Sequence, residues 1–131
     1  MINNLNKDIE TRDKLIFGKF KRNRYKFNDY ISFEKLNLET LKTLVDMNYI
    51  NLNTNYNLAP MVYEIYDFLR KYPKYTIHGY VTSDESEDYG IYINGVEKGE
   101  PSESLQEFTD YMSVFRYNDE FEHGTMYCWF D

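Results

Sequence analysis

The side chains able to do covalent or metal chemistry in this chain are few. They are two histidines, His78 and His123, one cysteine, Cys128, and 22 Asp and Glu. A Cys/His pair would need the thiol in an electropositive setting that favours the thiolate. Cys128 sits instead in a strongly anionic stretch beside Trp129, on a predicted strand, which suits a small core residue. His78, His123 and Cys128 lack the local spacing of zinc ligands. The run Asp84-Glu85-Ser86-Glu87-Asp88 is dense in carboxylates but has neither the central glycine nor the distal glutamate of a calcium loop, so it reads as a solvated turn. With 22 carboxylates, any acid pair is unspecific for glycoside hydrolysis. The 6 glycines are scattered, and no glycine-rich strand-to-helix turn offers a phosphate cradle. The expectation is a non-enzyme with no catalytic residue, no metal and no cofactor.

Charge is the stronger signal. Residues 1–81 hold 13 Lys and Arg against 9 Asp and Glu, whereas residues 82–131 hold Lys98 and Arg116 against 13 acids. Such an anionic half repels nucleic acid and most membrane surfaces, and attracts cationic proteins at long range. The acids group as Asp84, Glu85, Glu87 and Asp88 in one loop; Glu100, Glu103, Glu107 and Asp110 along a helix; and Asp119, Glu120 and Glu122 before the last strand. Read as one face, they would dock on a basic surface, and tyrosine and phenylalanine rings would supply the affinity. The basic excess gathers at Lys19, Lys21, Arg22, Arg24 and Lys26, interleaved with Phe20, Tyr25 and Phe27. That mixture is the chemistry of an anion-binding tip, since cations meet phosphate and rings stack on bases.

The leading functional expectation is a small acidic protein-binding modulator or inhibitor whose partner is a nucleic-acid-handling protein. In composition alone the chain resembles the small acidic inhibitors of phage and mobile elements. That likeness implies a nucleic-acid mimic blocking a DNA- or RNA-handling defence enzyme. Two alternatives use the same residues: an immunity or antitoxin protein neutralising a basic nuclease toxin, and a nucleic-acid-binding accessory protein using the basic segment 19–26. Sequence leaves the oligomeric state open.

At 131 residues, with 42% hydrophobic and 18% aromatic residues, the chain suits one α+β domain spanning 1–131. A lone cysteine and a polar start without an apolar leader place it in the cytoplasm. No apolar run approaches the roughly 20 residues that cross a bilayer.

Residues 1–12 read as a polar, Asn-rich end, frayed or a short irregular helix. Leu15–Phe20 and Tyr25–Glu34 read as a β-hairpin turning at Lys21–Arg24. Leu38, Leu41, Leu44 and Val45 mark a helix over 39–47 capped by Asn37. Pro60 opens, and Pro73 ends, a second helix with Met61, Ile65, Phe68, Leu69 and Tyr72 on one face. A strand over 75–82 returns over 89–93 to a tight turn at Asn94-Gly95, with a short further strand over 96–98. Ser104 and Glu107, in capping-box spacing, begin a third helix burying Leu105, Phe108, Met112 and Phe115. The last strand spans 125–130. The expected order is β-β-α-α-β-β-α-β: about three helices on an antiparallel or mixed sheet of about five strands.

Overall fold

The computed structural model describes residues 5–20, 25, 30–55, 59–116, 120–121 and 126–129. These residues form α1 (Ile9–Phe17), β1 (Tyr30–Leu36), α2 (Leu38–Asp46), α3 (Val62–Lys71), β2 (Thr76–Thr82), β3 (Ile91–Glu97), α4 (Leu105–Val114), β4 (Glu120–Phe121) and β5 (Tyr127–Trp129). The five strands make one antiparallel sheet in the order β1-β2-β3-β5-β4. The α+β class and the antiparallel sheet agree with the sequence reading.

Period-two alternation decides which face of the sheet meets the helices. Ile31 and Phe33 of β1, Ile77 and Val81 of β2, Ile91, Ile93 and Val96 of β3, and Cys128 of β5 are buried on one side. Against them pack Leu41 and Leu44 of α2, Val62, Ile65, Phe68 and Leu69 of α3, and Tyr111 and Phe115 of α4. Caps set the helix boundaries: Asn37 accepts from Thr40 N at 2.9 Å, and the Glu64 carboxylate accepts from Met61 N at 3.1 Å.

Three expectations need correction. Leu15–Phe20 is not a strand, and of the two readings of the polar end the helical one holds at residues 9–12. Asp8 accepts from Thr11 N at 3.3 Å, Gly18 closes the helix at φ 80°, and between them α1 buries Ile9, Arg12 and Asp13. The hairpin is therefore replaced by a helix followed by β1, and the helices number four among the described residues. The proposed turn residues 21–24 lie outside the described residues, as do residues 1–4.

The Asn94-Gly95 pair is not a turn. β3 runs straight through it, with Gly95 opposite His78 and Ile93 opposite Gly79, so Asn94 is the extra residue of a bulge. A methyl on Gly95 would stand 2.0 Å from His78 Nε2 and 2.4 Å from the Cys128 carbonyl oxygen. Glycine is required here because the imidazole crosses β3 at this point. It stacks on Tyr127 of β5, with ring centres 5.6 Å apart and planes 11° from parallel.

The face that α4 buries is also different. Glu107, Tyr111 and Phe115 point inward, whereas Leu105, Phe108 and Met112 are 81%, 41% and 39% exposed.

Candidate interaction surface

Helix α4 owes its rotation to what waits for it. Phe68 and Tyr75 present an aromatic pocket, and Phe115 meets Phe68 edge-on at 5.0 Å while Tyr111 stacks on Tyr75 at 6.0 Å. Lys98, whose side chain is 1% exposed, would be a buried bare cation without an acid beside it; Glu107 answers it at 2.7 Å. Two further lysines hold the helix from α3 and the turn after it. Lys71 Nζ donates to Asp110 at 2.6 Å, and Lys74 Nζ to Glu103 at 2.8 Å. Glu100 lies 4.0 Å from both Lys74 and Lys98.

These contacts show in the acidities. The hydrogen bond from Lys71, with others from Tyr72 and Gln106, holds the Asp110 carboxyl down at about 2. The Lys74 hydrogen bond lowers Glu103. Burial works to raise Glu107, but the Lys98 ammonium and the Glu103 N–H outweigh it and leave the carboxyl below its ordinary value. Of the acids expected to form a docking face, Glu100, Glu103, Glu107 and Asp110 are thus engaged by lysines of the same chain. Three of these pairs reach residues 71 and 74, across the charge divide that the sequence displays.

With its acids turned to lysine, α4 shows solvent an apolar stripe. Leu105, Phe108 and Met112 recur at i, i+3 and i+7, the spacing of one helix face. Exposed apolar side chains contiguous along a helix are the usual mark of a protein-binding surface.

The other acids fall into two sets. Asp84, Glu85, Glu87 and Asp88 sit in the loop joining β2 to β3, where Glu85 N donates to Ser83 Oγ and Asp88 N to Ser86 Oγ, each at 3.2 Å. Glu85, Glu87 and Asp88 are exposed. Glu120 lies in β4, paired in register with Trp129; Asp119 and Glu122 lie outside the described residues.

Lys19 follows the α1 cap and is exposed, whereas Lys21, Arg22, Arg24 and Lys26 of the proposed basic tip lie outside the described residues. Tyr25, from the middle of that segment, is tied to α1. Its hydroxyl donates to Asp13 Oδ2 at 2.9 Å and accepts from Arg12 Nη2 at 2.8 Å. Tyr25 also lines one depression with Glu85, Glu87 and Asp88, so this point of the basic segment lies beside the acidic loop.

The sheet face turned away from the helices carries rings in register. Tyr80 stacks on Tyr92 at 4.9 Å and Tyr30 tilts onto Tyr80 at 5.2 Å. Glu34, Glu97 and His78 line a depression of ≈ 300 Å³ on this face. Burial lowers the His78 pKa, with Glu34 pulling the other way. Cys128 points to the opposite, helical face and burial pushes its thiol up to about 12, so His78 and Cys128 cannot act as a nucleophilic pair. Among the described residues no three His, Cys, Asp or Glu side chains converge as metal ligands, and no helix is long and apolar enough to cross a membrane.

Compared with protein-family models, curated proteins and solved structures, the chain matches none. The α4 stripe was not legible as a surface, because the same three residues fit a core-facing pattern equally well. The signal that separates the two readings is Tyr111 at i+4 from Glu107, with Lys98 a short loop away.

Proposed function

We propose that the protein is a protein-binding modulator that docks through α4 on a partner with an apolar groove rimmed by basic residues. The observation that carries this reading is the outward stripe of Leu105, Phe108 and Met112 on a helix whose acids are held at its flanks. Rings and aliphatic side chains at the centre of such a contact supply affinity, and charge at the rim supplies encounter rate and selectivity. The chain's net charge of −7 favours a cationic partner, and nucleic-acid-handling proteins carry such surfaces to meet phosphates.

Nucleic-acid mimicry is the narrower form of the proposal. The engaged α4 carboxylates are poor stand-ins for phosphates, so mimicry would draw on the exposed Glu85, Glu87 and Asp88.

The test is affinity capture from a lysate of the source cells at low and high salt, with the wild-type chain beside Leu105→Ser/Phe108→Ser/Met112→Ser and Glu85→Gln/Glu87→Gln/Asp88→Asn variants. The expected result is a specific basic partner retained by wild type, weakened at high salt and lost from the α4 variant. Absence of any partner at both salts, or equal capture by the α4 variant, overturns the reading. Loss from the loop variant alone would select mimicry.

A further inference from the structure

Between the connection from α2 to α3 and the beginning of β3 lies a cleft of ≈ 490 Å³, within the range of small-molecule sites. Its apolar lining combines Leu5, Pro60 and the Tyr92 ring, which are half-buried, with the outer atoms of core residues, Ile91 the most open of them at 8% exposure. Asn51 and Thr54 stand on one wall, and Glu87 and Asp88 on another. Among the described residues that line it there is no lysine or arginine, and the carboxylates are Glu87 and Asp88. None of the exposed α4 residues belongs to it; Glu87 and Asp88 are shared with the acidic loop, and the α4 stripe is not.

The start of α3 also borders the cleft, and a helix N-terminus ordinarily welcomes anions. Here its amides are spent. Val62 N donates to Thr54 O at 2.8 Å, Tyr63 N to Leu52 O at 2.9 Å, and Met61 N to the Glu64 carboxylate. An anion entering the cleft would meet two carboxylates and no open donor on that turn. A neutral apolar molecule would use the floor and gain nothing from the rim. The group that uses both is a hydrocarbon ring or chain ending in an ammonium, whose apolar body covers the apolar wall while the cation meets the carboxylates.

We propose that this cleft is a binding site for a compact apolar amine, with the hydrocarbon against Leu5, Pro60 and Ile91 and the ammonium at Glu87 and Asp88. Glu87 and Asp88 set the choice of charge; the apolar wall of Leu5, Pro60 and Ile91 sets the choice of shape.

Three probes share one ring system and differ in charge: tryptamine, its neutral alcohol tryptophol, and indole-3-acetate. Titrated at neutral pH into ¹⁵N-labelled protein, tryptamine is expected to shift the amides of Asn51, Thr54, Gly90 and Ile93 saturably. Its affinity should exceed that of tryptophol by about tenfold, the scale of one charge-assisted hydrogen bond, and indole-3-acetate should leave these amides unmoved. In Glu87→Gln/Asp88→Asn, tryptamine should fall to within about twofold of tryptophol, whose own affinity is unchanged and so reports that the cleft still folds. No saturable shift at these amides, equal affinity for all three probes, or a preference for the amine that survives the double substitution would each overturn the proposal. These results are independent of partner capture through α4.

Discussion

The Lys98 ammonium lies 2.7 Å from a Glu107 carboxylate oxygen, with the two side chains 1% and 6% exposed. The other Glu107 oxygen accepts from Glu103 N at 2.8 Å, and Lys98 Nζ also lies over the Tyr75 ring, 5.4 Å from its centre. One pair therefore ties the end of β3 to the first turn of α4 and decides which helix face looks inward. Lys98→Met leaves a buried carboxylate without its cation and should cost about 3–5 kcal/mol. Lys98→Met/Glu107→Leu should recover much of that loss, as measured by urea unfolding, because neither charge is then stranded.

The inward face of α4 is also tested by contrast. Phe115→Ala, which empties a site 0% exposed, should destabilise the fold by about 3–5 kcal/mol. Leu105→Ser, at 81% exposure, should change stability by no more than about 0.5 kcal/mol. Equal effects at the two positions would mean the helix is rotated from the orientation described.

Acid should loosen α4 before it reaches the apolar core. Asp110, Glu103 and Glu107 all titrate lower in the folded chain than a free carboxyl does. Their contribution is therefore complete above the ordinary carboxylate range and is lost as pH falls from about 5 toward 2. Denaturant midpoints should drop over that interval, and Asp110→Asn should flatten the pH dependence while lowering the midpoint at pH 7. A midpoint independent of pH over the same interval would show that the lysine pairs contribute nothing.

Gly95 should tolerate no side chain. Gly95→Ala places a methyl against the His78 ring and the Cys128 carbonyl, and should cost at least about 1–3 kcal/mol. Adding His78→Ser should restore only part of it, since the carbonyl at 2.4 Å remains. Thermal unfolding of the single and double variants measures both effects.

Cys128 should behave as a core methyl-sized group and not as a thiol. Burial pushes it up to about 12, so a disulfide reagent at pH 8 should label it only as fast as the chain opens. Labelling in the native state at the rate of a small free thiol would contradict the burial.

Residues 38–47 and 60–73 were readable from the chain because their signals are local. Asn37 caps its own helix, Pro60 and Pro73 bracket the next, and the buried residues of each are all apolar. Helix α1 was not readable. Its buried stripe includes Arg12 and Asp13, an ion pair 3.1 Å apart with both side chains 0% exposed, so the usual apolar period is missing. Only Asp8 with Thr11 and the terminal Gly18 marked it. β3 was broken in the reading at Asn94-Gly95 because that dipeptide favours a turn, and its role as a bulge depends on His78 from another strand.

By itself the sequence determined the α+β class, the amphipathic middle helices and the opposition of a basic and an acidic half. Those properties are sums over composition and short-range period, and they do not depend on how distant residues meet. The tertiary structure decided what the charges do. Lys71 and Asp110 are 39 residues apart in the chain and 2.6 Å apart in the fold, and their contact turns acids expected to await a partner into ties that hold α4. Helix α4 has two candidate faces at helical spacing, and local preference does not rank them. The buried lysine and the Phe68–Tyr75 pocket do, because a stranded cation and an empty aromatic site cost more than exposing Leu105, Phe108 and Met112.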